Sequence, residues 1–264
     1  MSRLADTFSR LRAQGERAFV PFVTFGDPDA ATTLRLARAY IEAGADILEI
    51  GIPFTDPLAD GPTIQRASER ALSAGATMSG AFELISEIRR FSEVPLVPMT
   101  YINPVWQIGF DTFAARCREV GADGVIISDV PPEEGAEWVA AGRRHGVDTV
   151  FLLAPTSDDE RTRTVAAAAS GFIYAVARMG VTGARTDVPP EIGGLVDRIR
   201  GLSDTPICAG FGFSTPDQIR ATCAGTGVDG IVVASALIDK FEKSGFDVGV
   251  AGAYARELKA ATRK

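Results

Sequence analysis

Residues 44–50 read Gly44-Ala45-Asp46-Ile47-Leu48-Glu49-Ile50, and this short stretch contains the end of a helix, a turn and the start of a buried strand. Gly44 stands where a helical pattern over 30–43 stops, a position that favours the left-handed backbone glycine tolerates. Asp46 then opens an apolar run. The same signature returns as Gly121-Ala122-Asp123, Gly146-Val147-Asp148 and Gly227-Val228-Asp229. Each copy reads as the end of one helix and the beginning of one strand. The four aspartates are therefore expected on the N-terminal face of a sheet, in turns and stabilising contacts.

Working outward from this unit, apolar runs predict strands at 19–24, 46–50, 95–100, 123–128, 149–153, 171–176, 206–209 and 230–233. Between them, 30–43, 63–74, 80–91 and 113–120 carry apolar residues at helical spacing. Continuously apolar strands alternating with helices imply a parallel sheet buried on both faces. Eight is the number at which such a sheet closes. The expected fold is α/β, a (β/α)8 TIM barrel, with 1–264 as a single domain. The length suits it, since such barrels run to ~250 residues. Residues 2–14 form an extra N-terminal helix, with Leu4, Phe8 and Leu11 on the stripe that closes the barrel bottom.

Composition removes several classes of function. A net charge of -7 with no basic block argues against nucleic acid. No apolar run approaches the ~18 residues of a membrane span. The N-terminus has an early acid and no apolar stretch, unlike a signal peptide. Cys117, Cys208 and Cys223 have no paired spacing, which suits a reducing cytoplasm. The one histidine, His145, reads as the exposed end of a helix, and the lysines are confined to Lys240, Lys243, Lys259 and Lys264. A histidine metal site or general base is thereby disfavoured. Chemistry must rest on carboxylates, tyrosines, hydroxyls and backbone dipoles.

The face at the C-terminal ends of the strands, where such barrels hold their active sites, carries Asp27, Glu49, Asp56, Asp60 and Asp129. Its densest segment is Leu48-Glu49-Ile50-Gly51-Ile52-Pro53-Phe54-Thr55-Asp56-Pro57-Leu58-Ala59-Asp60-Gly61-Pro62-Thr63-Ile64-Gln65. Alternation turns Leu48 and Ile50 outward and Glu49 into the barrel mouth. Desolvation there raises a carboxyl pKa toward neutrality, so the group can act as acid and base in turn. The alternative is a buried glutamate satisfied by neighbouring donors, with Arg178 or Arg185 as possible partners. Asp60 lies far enough along the loop to fold back over the pocket, and two carboxylates in different environments can take different roles. The loop Ala177-Arg178-Met179-Gly180-Val181-Thr182-Gly183-Ala184-Arg185 has the glycines and hydroxyl of a mobile lid. Gly210-Phe211-Gly212 after strand seven and Ala234-Ser235 after strand eight suit a phosphate held by backbone N–H groups, with Ser235 capping a short phosphate-site helix. The alternative is that these glycines serve only tight turns.

Together these motifs resemble the tryptophan synthase alpha subunit family over nearly the whole chain. The segment from Glu49 to Gln65 is similar to its signature. Met99-Thr100-Tyr101-Ile102-Asn103-Pro104, Ser128-Asp129-Val130-Pro131, Gly180-Val181-Thr182-Gly183 and Gly210-Phe211-Gly212 follow in the family's order. The resemblance implies a carbon–carbon lyase that cleaves indole-3-glycerol phosphate to indole and glyceraldehyde 3-phosphate by a retro-aldol reaction. Glu49 would do the acid–base work and Asp60 would accept the indole N–H. Phe22, Tyr101, Tyr174 and Phe211 would line the indole pocket, although each also suits ordinary packing at the barrel mouth. Thr182 would orient Asp60, and Gly183, Gly212, Ala234 and Ser235 would bind phosphate. Asp129 would position the 56–60 loop or the lid, or cap the turn before Pro131-Pro132.

This chain departs from the family in having Ala234 where glycine is usual and Ala177 where serine is frequent. The resemblance further implies a cytoplasmic αββα heterotetramer with a beta subunit, which faces the 53–57 loop and the region of Asn103-Pro104. Pyridoxal phosphate would belong to that partner, with no cofactor in this chain. Three alternatives remain: a free-standing lyase, another phosphate-binding barrel such as a sugar-phosphate isomerase, and a non-catalytic activating subunit.

Overall fold

A computed structural model describes residues 2–176, 190–210 and 212–263. Eight parallel strands close into a barrel in chain order. They are β1 (Ala18–Thr24), β2 (Leu48–Gly51), β3 (Leu96–Thr100), β4 (Gly124–Ile127), β5 (Asp148–Leu153), β6 (Ile173–Val176), β7 (Ile207–Gly210) and β8 (Gly230–Val233). None extends more than one residue beyond the run expected from the sequence. The first helix, α1 (Arg3–Gln14), precedes the barrel, and α2 (Ala30–Glu42) follows β1. Two helices follow β2, α3 (Pro62–Ser73) and α4 (Met78–Arg89), and two follow β3, α5 (Ile102–Ile108) and α6 (Phe110–Val120). Single helices α7 (Ala136–His145), α8 (Asp159–Ala168), α9 (Pro190–Arg200) and α10 (Pro216–Gly225) follow β4 to β7. The chain closes with α11 (Ser235–Lys243) and α12 (Val248–Ala260).

Strand alternation sorts the core into two layers. Leu48 and Ile50 point outward and pack with Leu36 and Tyr40 of α2 and Phe82 and Ile85 of α4. Ile47 points inward, among Val20, Val97, Ile126, Val150, Phe172 and Val232. Leu4, Phe8 and Leu11 of α1 join this inner layer, so the helix plugs the barrel floor as its stripe predicts. Ser2 starts it by accepting the Ala5 N–H.

The repeated aspartates do structural work at that lower edge. Asp46 accepts the Phe19 N–H at 2.9 Å, Asp123 the Leu96 N–H at 2.8 Å and Asp229 the Ile207 N–H at 2.9 Å. Each thus joins its own strand to the preceding one. Countercharges come from Lys259, Arg89 and Arg200 respectively. Asp148 differs, because its buried Oδ2 has no hydrogen-bond partner among the described residues. His145 ends α7 as expected, but it is half-buried rather than exposed. Its Nε2 lies 3.0 Å from Asp111 of α6, which also takes Arg144.

Candidate active site

Glu49 sits on β2 between Phe22 of β1 and Val97 of β3, its registered neighbours. It is 1% exposed, and its Oε2 has no hydrogen-bond partner among the described residues. Removal from water pushes the carboxyl up to about 8, with a smaller push from the charge of Asp60. No described cation pairs with it. Arg178 and Arg185, the partners considered from the sequence, lie outside the described residues.

The loop after β2 brings Asp60 back toward this group. Burial raises the Asp60 carboxyl to about 6, while the hydroxyl of Tyr101 opposes the rise. The same phenolic oxygen accepts the Ala59 N–H at 3.2 Å, and the Tyr101 ring stacks on Phe54 with centroids 5.2 Å apart. Gln65, in the first turn of α3, donates to the Asp60 carbonyl at 2.9 Å. Asp60 is therefore held from both sides of its loop. Asp56 is exposed and accepts the Thr55 hydroxyl, outside this cluster. Two carboxyl groups with separated proton affinities, one buried and one half-buried, can in principle act as acid and base near neutral pH.

Asp129 is tied to the end of β3. Its Oδ1 accepts the Ile102 N–H at 2.7 Å, at the start of α5, where Tyr101 occupies the cap position without a side-chain cap of its own. The carboxylate therefore fixes the residue next to Tyr101.

Aromatic rings cover the two strand-end glycines. A Cβ on Gly51 would lie 2.3 Å from the Phe22 ring, and one on Gly210 would lie 2.2 Å from the Tyr174 hydroxyl. Only glycine leaves room for these rings at the mouth. Phe22 packs with Ile64 and Ala67 of α3, Ile238 of α11 and Met99, while Tyr174 stands over Phe172. Burial and the nearby Glu49 and Asp60 charges push the Tyr174 hydroxyl well above its ordinary pKa, so it stays protonated.

Just beyond β7, Gly212 has φ 101°, backbone that disfavours any side chain, and is exposed. The short helix expected after β8 is α11, but its cap is Ala234, and Ser235 is its first helical residue. Ser235 thus makes no capping bond. A cap needs a side-chain oxygen one position earlier, and alanine has none. The first turn of α11 consequently has no side-chain acceptor of its own at the cap. Thr182, Gly183 and Phe211, together with the expected lid, lie outside the described residues.

Sequence reasoning missed one arrangement. Asp27, grouped there with the functional acids, is clamped by Arg70 of α3 through two hydrogen bonds of 2.8 and 2.9 Å. Arg70 also reaches Glu242 of α11 at 3.2 Å, and Arg66 reaches it at 3.3 Å. The helix behind Asp60 and the helix behind Ser235 are thereby joined. The four-residue spacing of Arg66 and Arg70 on one helix face was the available signal.

Comparison with known proteins gives a consistent result. The family model described as tryptophan synthase alpha chain matches residues 8–262. The alpha chain of Geobacter sulfurreducens is 48% identical over 243 residues, 92% of this chain and 91% of the relative. That of Methanoregula boonei is 43% identical over 244 residues, with 92% and 91% covered. Among solved structures, tryptophan synthase from Mycobacterium tuberculosis in space group F222 superposes with a TM-score of 0.93 at 36% identity, covering 100% of this chain and 99% of that one. The tryptophan synthase complex from Pyrococcus furiosus gives a TM-score of 0.84 at 33% identity, with 93% and 99% covered. With nearly its whole length matched by the family model, and a barrel mouth built around Glu49 and Asp60, the chain belongs to the tryptophan synthase alpha chain family.

Proposed function

We propose that Glu49 and Asp60 carry the family's reaction in this chain, the retro-aldol cleavage of indole-3-glycerol phosphate to indole and glyceraldehyde 3-phosphate in tryptophan biosynthesis. The observation that supports this most directly is the buried Glu49 carboxyl, with Oε2 unpartnered among the described residues and a second carboxyl close by. Near neutral pH the protonated Glu49 gives its proton to carbon three of the indole ring. Positive charge then develops on the ring nitrogen, and ionised Asp60 stabilises it by accepting the N–H. Glu49, now a carboxylate, takes the proton of the glycerol hydroxyl next to the ring. The carbon–carbon bond breaks, its electrons return to the indole, and the released carbon becomes the aldehyde. Glu49 ends protonated, as it began.

The remaining assignments follow the same reading. Phe22, Tyr101, Tyr174 and Phe211 hold the indole, Thr182 orients Asp60, and Asp129 acts through the start of α5. Gly183, Gly212, Ala234 and Ser235 offer backbone N–H groups to the phosphate, favoured by the dipole of α11. The whole of 1–264 works as one barrel domain in the cytoplasm. Its partner is a beta subunit in an αββα assembly, and pyridoxal phosphate serves that partner. Two large apolar side chains support a docking face: Leu58, directly after the 53–57 loop, is 93% exposed, and Trp106, on the helix that contains Asn103-Pro104, is 69% exposed.

The test is cleavage of indole-3-glycerol phosphate by the purified chain, alone and with a beta subunit. A slow reaction alone and a large acceleration with the partner is expected. A fast reaction alone favours a free-standing lyase. No reaction in either case favours a non-catalytic subunit.

A further inference from the structure

In the closed barrel β1 pairs with β2, which carries Glu49, and with β8, which leads into Ala234 and Ser235. A glycerol chain with its phosphate at the start of α11 and its reacting carbon at Glu49 must therefore pass the upper end of β1. That end is roofed by Ile64 and Ala67 of α3 and Ile238 of α11, which pack on Phe22.

Alternation along β1 assigns its side chains. Ala18 and Val20 belong to the inner layer, and Phe19 and Val23 to the outer one. Thr24, two residues beyond Phe22, falls on the inner face and is in register with Gly51. The residue is 5% exposed, and its Oγ1 has no hydrogen-bond partner among the described residues. The nearby Thr33 is unlike it, accepting the Gly26 N–H at 3.0 Å and donating to the Asp29 carbonyl at 2.9 Å. The other buried hydroxyl without a hydrogen-bond partner among the described residues, that of Thr100, alternates outward with Leu96. A buried hydroxyl that bonds nothing destabilises a fold, and valine would fill the same space without that penalty. The inner face of β1 and β2 thus presents two unpartnered polar atoms, Thr24 Oγ1 and Glu49 Oε2, along the path of the glycerol chain.

We infer that Thr24 is a specificity-determining residue, whose hydroxyl hydrogen-bonds the glycerol hydroxyl on which Glu49 does not act. It selects a polyol chain over a plain alkyl chain between ring and phosphate. The inference rests on the reaction proposed above.

The experiment compares wild type, Thr24→Val and Thr24→Ser, each in complex with the beta subunit. Three quantities are read: kcat/KM for indole-3-glycerol phosphate, Kd for 3-(indol-3-yl)propyl phosphate, which lacks both glycerol hydroxyls, and Tm. Thr24→Val should lose about tenfold in kcat/KM, the size of one neutral hydrogen bond. Its Kd for the propyl phosphate should stay within about twofold, and its Tm should be unchanged or higher. Thr24→Ser should keep most of the activity. Equal losses for both ligands would overturn the inference, because they would report packing alone. So would an unchanged kcat/KM in Thr24→Val, or a fall in its Tm that serine reverses. A wild-type complex that cleaves nothing overturns the proposed reaction itself, a result separable from all of these.

Discussion

The phenolic oxygen of Tyr101 accepts the Ala59 N–H at 3.2 Å and lies beside the Asp60 carboxyl, so one side chain from the end of β3 ties down the loop that follows β2. Its hydroxyl lowers the proton affinity of Asp60, working against burial. Tyr101→Phe should therefore raise the Asp60 pKa above about 6 and move the acidic limb of the kcat/KM profile to higher pH. At pH 6 the loss should be about tenfold and smaller at pH 8. An equal loss at every pH would mean that Tyr101 only shapes the pocket.

Glu49→Gln removes the titrating proton while keeping shape and burial. Turnover should fall by at least about a thousandfold, in line with loss of an acid–base group in a preorganised site. Kd for the propyl phosphate should change little. A variant that loses binding but keeps kcat would show that Glu49 holds substrate and does not move protons.

The same substitution should change how stability depends on pH. The Glu49 carboxyl has an ordinary value of 4.5 and a folded value of about 8. Between those limits the folded protein keeps a proton that the unfolded chain has released. Wild-type stability is thus fully present below the lower limit, and this group removes about 1.4 kcal/mol per pH unit as pH rises through the window. Urea unfolding at pH 5, 6, 7 and 8 should show Glu49→Gln gaining on wild type as pH increases. A constant difference would place the carboxyl in a more solvated setting than its burial indicates.

Asp27 is buried, and Arg70 supplies both of its charge-assisted hydrogen bonds. Arg70→Ala leaves that carboxylate unpaired and removes one of the two α3 contacts to Glu242, leaving that of Arg66. A loss of about 3 kcal/mol is expected, within the range for breaking a buried pair. Arg70→Lys should recover only part of it, since lysine lacks the forked geometry. Thermal unfolding of the two variants checks this ordering.

Leu58→Glu and Trp106→Glu alter exposed side chains, so the isolated chain should keep its Tm. Affinity for the beta subunit should drop by tenfold or more for at least Trp106→Glu, as expected when an apolar anchor at an interface becomes charged. Calorimetric titration gives the answer, and unchanged Kd values for both would move the docking face elsewhere.

Much of this protein was legible in its sequence because the deciding patterns are local. The glycine-aspartate signature marked where strands begin, and alternation pointed Glu49 into the barrel. The α1 stripe named its own buried residues. Which carboxylates are occupied was decided only by the tertiary structure. Asp27 finds Arg70 43 positions away, Asp129 finds the Ile102 amide 27 positions away, and Asp46 finds Lys259 across 213. Composition listed these groups without saying which would meet. The cap of α11 shows the same limit at close range, since a shift of one residue moved the Ser235 hydroxyl out of the capping position. Periodicity tells which face a side chain takes, because the backbone repeat is set by its neighbours. Whether a charge on that face is paired depends on how the closed barrel brings distant strand ends together. Of the acids at the mouth, that closure left Glu49 desolvated and without a cation among the described residues.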